Sequence, residues 1–237
     1  MNPADLKTLL NCIDLTNLND HGNEAEIVKL CEQSTTPQGS VAAVCIYPQF
    51  VSLVWKKLIK QPIKIATVVN FPKPNQSFEK ITHDIQQAIL DGATEIDAVM
   101  PHDDNGEFVS HCKKLCGDKA ILKIILESGE LDDKTIERNS TIAIQNGADF
   151  LKTSTGKVSV GATPQAAKIM LTCIKNSGKP IGFKASGGIK TLEEAAIYVN
   201  LVREILGEAA FSSNRFRIGT SRLLEDILCA FPNPNSY

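Results

Sequence analysis

Two lysines stand at the ends of short apolar runs, and each is followed by small residues and glycine. Lys152 closes Asp149-Phe-Leu and opens Thr-Ser-Thr-Gly-Lys157, while Lys184 closes Pro180-Ile-Gly-Phe and opens Ala-Ser-Gly-Gly-Ile-Lys190. A strand ending this way delivers an amine to its C-terminal tip, where a loop rich in backbone N–H groups follows. Phosphate-handling α/β enzymes keep both their chemistry and their anion site at that place. On neighbouring strands, about 4.8 Å apart, two inward lysines bring their amines within a few ångströms of each other. Two ammonium groups that close repel, and a largely apolar interior disfavours the charge further. At least one amine is then neutral near physiological pH, as attack on a carbonyl to form a Schiff base requires. The plainer alternative is a lysine paired with a carboxylate, since buried charges are normally paired.

Asp97 is the candidate third group. Ala88-Ile-Leu-Asp-Gly-Ala-Thr-Glu-Ile-Asp97 parallels Ala143-Ile-Gln-Asn-Gly-Ala-Asp-Phe-Leu-Lys152, so a helix closes at Gly-Ala and the next strand reaches an ionisable residue at the same step. Alternate barrel strands feed the same interior layer, which predicts Asp97 and Lys152 at one height on the fourth and sixth strands. A carboxylate there can move protons for a carbinolamine or serve as counter-ion to a lysine; the two roles are compatible. Lys123 and Glu127, with Ile125 between, share one face of a fifth strand and read as an ion-paired interior.

Gly187-Gly188-Ile189-Lys190 and Gly219-Thr220-Ser221-Arg222 are glycine-bearing turns after the last two strands, where barrels commonly bind phosphate. Their N–H groups, with Gly156 and the charges of Lys157, Lys190 or Arg222, make a candidate anion site. Asp14 and Thr16 end the first strand and can hydrogen-bond substrate hydroxyls, with Thr153 beside Lys152. Cys45 reads as a pocket wall, because no histidine stands ready to activate it.

The elements that must hold these groups alternate along the chain. Strands are predicted at Leu10–Leu15, Val41–Tyr47, Ile63–Val69, Thr94–Met100, Ile121–Glu127, Asp149–Thr153, Pro180–Ala185 and Phe216–Gly219. Helices are predicted at Glu24–Gln33, Gln49–Lys60, Ser77–Asp91, Glu107–Cys116, Asp132–Asn146, Pro164–Asn176 and Leu192–Leu206, with a short one at Ser221–Cys229. Thr163-Pro164 and the capping box Thr191-x-x-Glu194 are start signals; Gly92 and Gly147 are stop signals. Roughly 30 residues per strand–helix unit is the arithmetic of a single (β/α)8 TIM barrel, an α/β fold spanning residues 1–237 as one catalytic domain. An open doubly wound sheet would carry a glycine-rich fingerprint after its first strand, and here Asp14-Leu-Thr-Asn-Leu stands instead.

Composition narrows the function classes. A net charge of −2 with scattered lysines gives no field for nucleic acid, and no apolar run approaches a membrane span. Seven cysteines, an odd number spread through apolar segments, suit reduced thiols in a cytosolic protein. His111-Cys112-x3-Cys116 lacks a second ligand pair, so no metal and no cofactor are expected.

With Asp-Leu-Thr at 14–16, Cys-Ile-Tyr-Pro at 45–48, Glu-Ile-Asp at 95–97, Lys-Thr-Ser-Thr-Gly-Lys at 152–157, Gly-Phe-Lys at 182–184 and a terminal Ser-Tyr, the sequence closely resembles the deoxyribose-phosphate aldolase family. The resemblance implies a metal-free class I aldolase on a TIM barrel. Such enzymes cleave 2-deoxy-D-ribose 5-phosphate reversibly to D-glyceraldehyde 3-phosphate and acetaldehyde. It further implies that Lys152 forms the Schiff base and Lys184 perturbs it. Asp97 then relays protons with a water, and Tyr237 reaches in from a C-terminal tail at about 231–237. Expected partners are the phosphosugar and aldehydes, with a homodimer the one protein assembly considered. Three departures stand out: a short segment His102–Phe108, Arg222 where a small hydroxyl residue is common, and the short polar tail Phe231–Tyr237. Another class I aldolase, a transaldolase, a phosphosugar isomerase barrel and a non-catalytic phosphometabolite binder are the rival readings.

Overall fold

The computed structural model describes residues 1–232. Eight strands form a closed parallel barrel: β1 (Ile13–Asn17), β2 (Ala43–Ile46), β3 (Lys64–Val69), β4 (Glu95–Val99), β5 (Ile121–Ile125), β6 (Phe150–Lys152), β7 (Gly182–Ser186) and β8 (Phe216–Thr220). Each strand pairs with its sequence neighbour, and β8 returns to β1. Helices α1 (Pro3–Leu10), α2 (Glu24–Gln33), α3 (Val51–Leu58), α4 (Phe78–Leu90), α5 (Glu107–Cys116), α6 (Asp133–Gln145), α7 (Pro164–Ser177), α8 (Leu192–Leu206) and α9 (Leu223–Cys229) accompany them. This is the (β/α)8 barrel that the alternating pattern predicts.

Local chemistry sets the helix starts. Asn23, Ser77, Asp132 and Thr163 each accept a hydrogen bond from a first-turn backbone N–H, satisfying donors that have no intrahelical partner. Thr191 and Glu194 form the reciprocal capping box at the head of α8. The apolar stripe of α4, Ile81, Ile85 and Ala88, is buried against the barrel wall. Outward strand residues such as Val44, Ile96, Ile124, Leu151 and Ile218 meet such helix faces in one continuous core. Burying a side chain of this size stabilises the fold by about 1.5–3 kcal/mol.

Most element ends shift by one or two residues from expectation, and a few differences have a clear physical cause. Leu9 and Leu10 belong to α1, which Asn2 caps and Pro3 starts, so β1 begins at Ile13 instead of Leu10. The apolar run there is a buried helix end, which periodicity over a few residues cannot distinguish from a strand. A two-residue hairpin, Thr35–Thr36 with Gly39–Ser40, precedes β2. The helix expected from Gln49 starts as a 3-10 turn at Pro48–Phe50, and α3 proper covers Val51–Leu58. At the last unit, the Thr220 hydroxyl accepts from the N–H groups of Arg222 and Leu223, so α9 begins at Leu223.

Candidate active site

β4, β6 and β7 bring Asp97, Lys152 and Lys184 to one interior layer. Lys152 and Lys184 are register partners across β6 and β7, and Asp97 is paired with Lys123 across β4 and β5. Asp97 Oδ2 accepts from Lys152 Nζ at 2.9 Å and from Lys184 Nζ at 2.8 Å. The two amines therefore lie within two hydrogen-bond lengths of each other, as the strand geometry predicts. Lys152 alone of the three lines the open cavity, which has a volume of about 690 Å³; Lys184 and Asp97 are buried behind it.

The interior is not largely apolar, and that expectation is corrected. Asp14, Glu95, Lys123 and Arg217 join the three groups above, all buried. Their contacts close a ring of alternating charge. Arg217 meets Asp14 at 2.7 Å, Asp14 meets Lys184 at 2.5 Å, and Lys184 meets Asp97 at 2.8 Å. Asp97 then meets Lys123 at 2.9 Å, Lys123 meets Glu95 at 2.5 Å, and Glu95 returns to Arg217 at 3.0 Å. The Lys184–Asp14 contact is ionic without hydrogen-bond alignment, which leaves Asp14 Oδ2 without a hydrogen-bond donor. Lys152 attaches to this ring through Asp97 alone. Phe150 lies beneath, with the Arg217 guanidinium 5.7 Å from its ring centre; Gly182 makes room for it, since a Cβ there would fall 2.3 Å from the ring.

Charge separates the two lysines, which the sequence could not rank. Burial, the largest influence, pushes Lys152 below the usual lysine range; Asp97 opposes and Lys184 adds to the fall. Burial would lower Lys184 as well, but Asp14 and Asp97 outweigh it, and the net shift is upward. Burial would raise Asp97, yet Lys123, Lys152 and Lys184 hold its carboxyl well below the usual range. Asp14 is likewise held down, by Lys184, Lys123 and Arg217 against burial. The arrangement makes the amine at the cavity the more readily deprotonated of the two and the one behind it the less so.

Lys123 does not pair with Glu127, a second correction. Lys123 turns to Glu95 and Asp97, whereas Glu127 lies past the end of β5 at a positive φ of 54°. There its carboxylate accepts from the N–H of Thr155 at 3.1 Å and from the Thr155 hydroxyl at 2.5 Å. Glu127 thus ties down the loop after Lys152.

The candidate anion residues converge. Gly156, Lys157, Gly187, Gly188, Ile189 and Lys190 line the cavity, and so do Gly219, Ser221 and Arg222. Gly187 has φ 92°, and a Cβ on it would sit 2.8 Å from the Cα of Gly161, so only glycine lets the two loops approach. Lys157 Nζ is held by Asp20 at 2.9 Å, and Tyr47 donates to the same carboxylate oxygen. Lys157 therefore spans the mouth from the β6 side to the β1 side.

The other candidates are placed as follows. Thr16 lines the cavity. Asp14 is fully buried within the charged ring. Thr153 is also buried, donating to the Ser186 carbonyl at 3.0 Å and accepting from the Ser186 N–H at 2.9 Å, which stitches β6 to β7. Cys45 is fully buried, and burial pushes its thiol up. Tyr237 lies outside the described residues. Among the described residues no group of three or more His, Cys, Asp or Glu is arranged to hold a metal ion, and burial pushes the Cys116 thiol up to about 12.

Glu95 and Arg217 are functional candidates that the sequence reading missed. Their signal was present: each is a charged residue in an apolar strand, and Glu95 lies two residues before Asp97, on the same face.

The tetrameric deoxyribose phosphate aldolase from Aeropyrum pernix superposes with a TM-score of 0.80 at 26% identity, over 97% of this chain and 94% of that one. A protein named QR15, an aldolase, gives 0.79 at 28% identity, over 93% and 96% of the two chains. An apo-form crystal structure from Toxoplasma gondii ME49 gives 0.89 at 24% identity, over 99% and 98%, a likeness that speaks for the fold. The model of the DeoC/LacD family aldolases matches residues 8–213, from within α1 to the threshold of β8, and the chain belongs to that aldolase family.

Proposed function

We propose that this aldolase cleaves 2-deoxy-D-ribose 5-phosphate reversibly to D-glyceraldehyde 3-phosphate and acetaldehyde, through an imine on Lys152. The observation that carries this reading is that Lys152, the lysine of the layer shifted downward, lines the same cavity as the glycine turns at Gly187-Gly188 and Gly219. A phosphate on those N–H groups would lay the open-chain sugar toward the amine. The substrate itself is suggested by the family and by the Aeropyrum pernix enzyme's name.

The Lys152 lone pair attacks the C1 aldehyde, and loss of water from the carbinolamine gives the protonated imine. A base removes the C3 hydroxyl proton, and the C2–C3 electron pair flows into the imine to form an enamine while C3 becomes the aldehyde of glyceraldehyde 3-phosphate. Protonation of the enamine at C2 and hydrolysis then release acetaldehyde and the free amine. Lys184 keeps positive charge beside Lys152 and so favours the neutral nucleophile. Asp97, bonded to both amines, works with a water as the proton relay. Thr16 contacts substrate hydroxyls, Thr153 and Cys45 shape the wall around Lys152, and Asp14 acts from within the ring. Tyr237 carries a proton at the site, a role resting on the family resemblance alone.

The same reading takes residues 1–237 as one catalytic domain, metal-independent and cytosolic, acting on small phosphosugars and aldehydes. Among the described residues no helix is long and apolar enough to cross a membrane. Reduction with borohydride in the presence of acetaldehyde tests the central step. It should place an ethyl group on Lys152, located by peptide mapping, with activity retained in chelator. Failure to label any lysine while the enzyme turns over would defeat the imine, and label on another donor alone would point to a different aldolase.

A further inference from the structure

The mechanism above works through Lys152, Lys184 and Asp97, with Asp14 beside them, yet Glu95, Lys123 and Arg217 are also buried in the barrel interior. Counted around the ring, three carboxylates alternate with three cations, so the six balance without Lys152. A protonated Lys152 would be surplus: its one carboxylate contact is Asp97 Oδ2, already shared with Lys184. Counted link by link, Arg217 with its contacts to Asp14 and Glu95, on β8, β1 and β4, stands across the ring from Asp97, where Lys152 attaches.

We propose that Glu95 and Arg217 are positioning residues: by closing the balanced ring from its far side, they leave Lys152 without a counter-charge of its own and thereby set how readily it sheds its proton. This inference rests on the imine reading for its meaning, but its test does not. Around Lys152, β4 presents Asp97, β7 presents Lys184 and β2 presents the Cys45 thiol. Its register partner on β5 is Ile125, two residues beyond Lys123, whose ammonium holds the other oxygen of Asp97 at 2.9 Å, and β3 offers the apolar Ala66 and Val68. At the mouth, Lys157 is held by Asp20. In a buried layer the interaction between charges is weakly screened, and removing one member of the ring is felt at Lys152 through Asp97 and Lys184.

The signs are opposite for the two partners. Glu95→Gln removes a negative charge, leaves the ring one positive in excess, and makes the Lys152 ammonium harder to keep. Arg217→Met does the reverse. The double variant restores the balance, and Arg217→Lys keeps it. The readout is reductive methylation of Lys152 by formaldehyde and cyanoborohydride across pH, followed by peptide mapping, which reports the free amine whether or not the enzyme turns over.

The acid limb of that profile should move down by about one pH unit in Glu95→Gln and up by about one in Arg217→Met. It should return near wild type in the double variant and in Arg217→Lys. Identical limbs in all variants, or singles that move in the same direction with a double that is worse, would overturn the proposal in favour of a purely structural pair. Should Arg217→Met not fold, the near-isosteric Glu95→Gln and the double variant decide it. If acetaldehyde fails to label Lys152 in the wild type, the imine reading falls, while the methylation profile still judges the ring.

Discussion

Lys152 and Lys184 reach the same oxygen atom, Oδ2 of Asp97, from adjacent strands. Only Lys184 has a second carboxylate, Asp14, within ion-pair distance. That asymmetry moves two chemically identical side chains in opposite directions from the ordinary lysine range, Lys152 down at the cavity and Lys184 up behind it. On the proposed mechanism, Lys184→Leu leaves Oδ2 of Asp97 to Lys152, with Lys123 still on Oδ1, and Lys152 then holds its proton more tightly. Turnover should fall on the order of 10²-fold or more, with the substrate Kd changed far less. Equal losses in kcat and binding would instead mean that Lys184 serves the fold.

The pH profile follows from the same contacts. A lysine with a depressed pKa is a nucleophile only above that pKa, so kcat should fall as the pH drops through it. Its acid limb should lie below the usual lysine range of about 10.5. In Lys184→Leu the limb should move up. A limb that is unchanged between the two enzymes would detach it from Lys152. Stability has its own pH dependence with the opposite dominant groups. Asp14 and Asp97 have folded pKa values below the unfolded one, so the stability they contribute is fully present above about pH 4–5. It is lost as the pH falls through the unfolded value and on toward the folded ones. Urea midpoints measured downward from neutral pH should show that decline.

Much of this site was legible because strands and turns write their patterns locally. Alternation placed Lys152, Lys184 and Asp97 on inward faces, and Thr191-x-x-Glu194 marked the helix after the glycine turn. What could not be read was which charge meets which. Lys123 and Glu127 share a face in sequence, yet Glu127 leaves the strand at a left-handed backbone step and turns to Thr155. Glu95 and Arg217 come together across the barrel floor, a contact between β4 and β8 that no local period encodes. The same limit hid the ring, and so led to the expectation of an apolar interior. Leu9 and Leu10 misled for a simpler reason, since a short apolar run fits a helix end as well as a strand.

Gly219 leaves room beside the Lys184 side chain. A Cβ at that position would lie 3.1 Å from Lys184 Cε and 3.0 Å from Ser186 Cβ, closer than such contacts normally run. Gly219→Ala should therefore push the Lys184 ammonium off its two carboxylates. Overpacking of this kind costs about 1–3 kcal/mol of stability, and a displaced charge should lower kcat by roughly tenfold or more. If thermal stability falls but the acid limb of kcat stays fixed, Lys184 has not moved, and its placement does not depend on the glycine.

Glu127 offers a test of the anion site that leaves the amines alone. Its carboxylate fixes Thr155, whose neighbours Gly156 and Lys157 line the cavity opposite the turn at Gly187. Hydrogen bonds to a charged acceptor are worth about 1.5–3 kcal/mol, so Glu127→Ala should loosen this loop considerably. The proposed phosphate grip predicts a KM for 2-deoxy-D-ribose 5-phosphate raised about tenfold or more. Turnover of unphosphorylated 2-deoxyribose, which lacks the group that the loop would hold, should change little. A parallel loss with both sugars would show that Glu127 supports the Lys152 strand end instead, and the phosphate would have to be sought at the Gly187 and Gly219 turns alone.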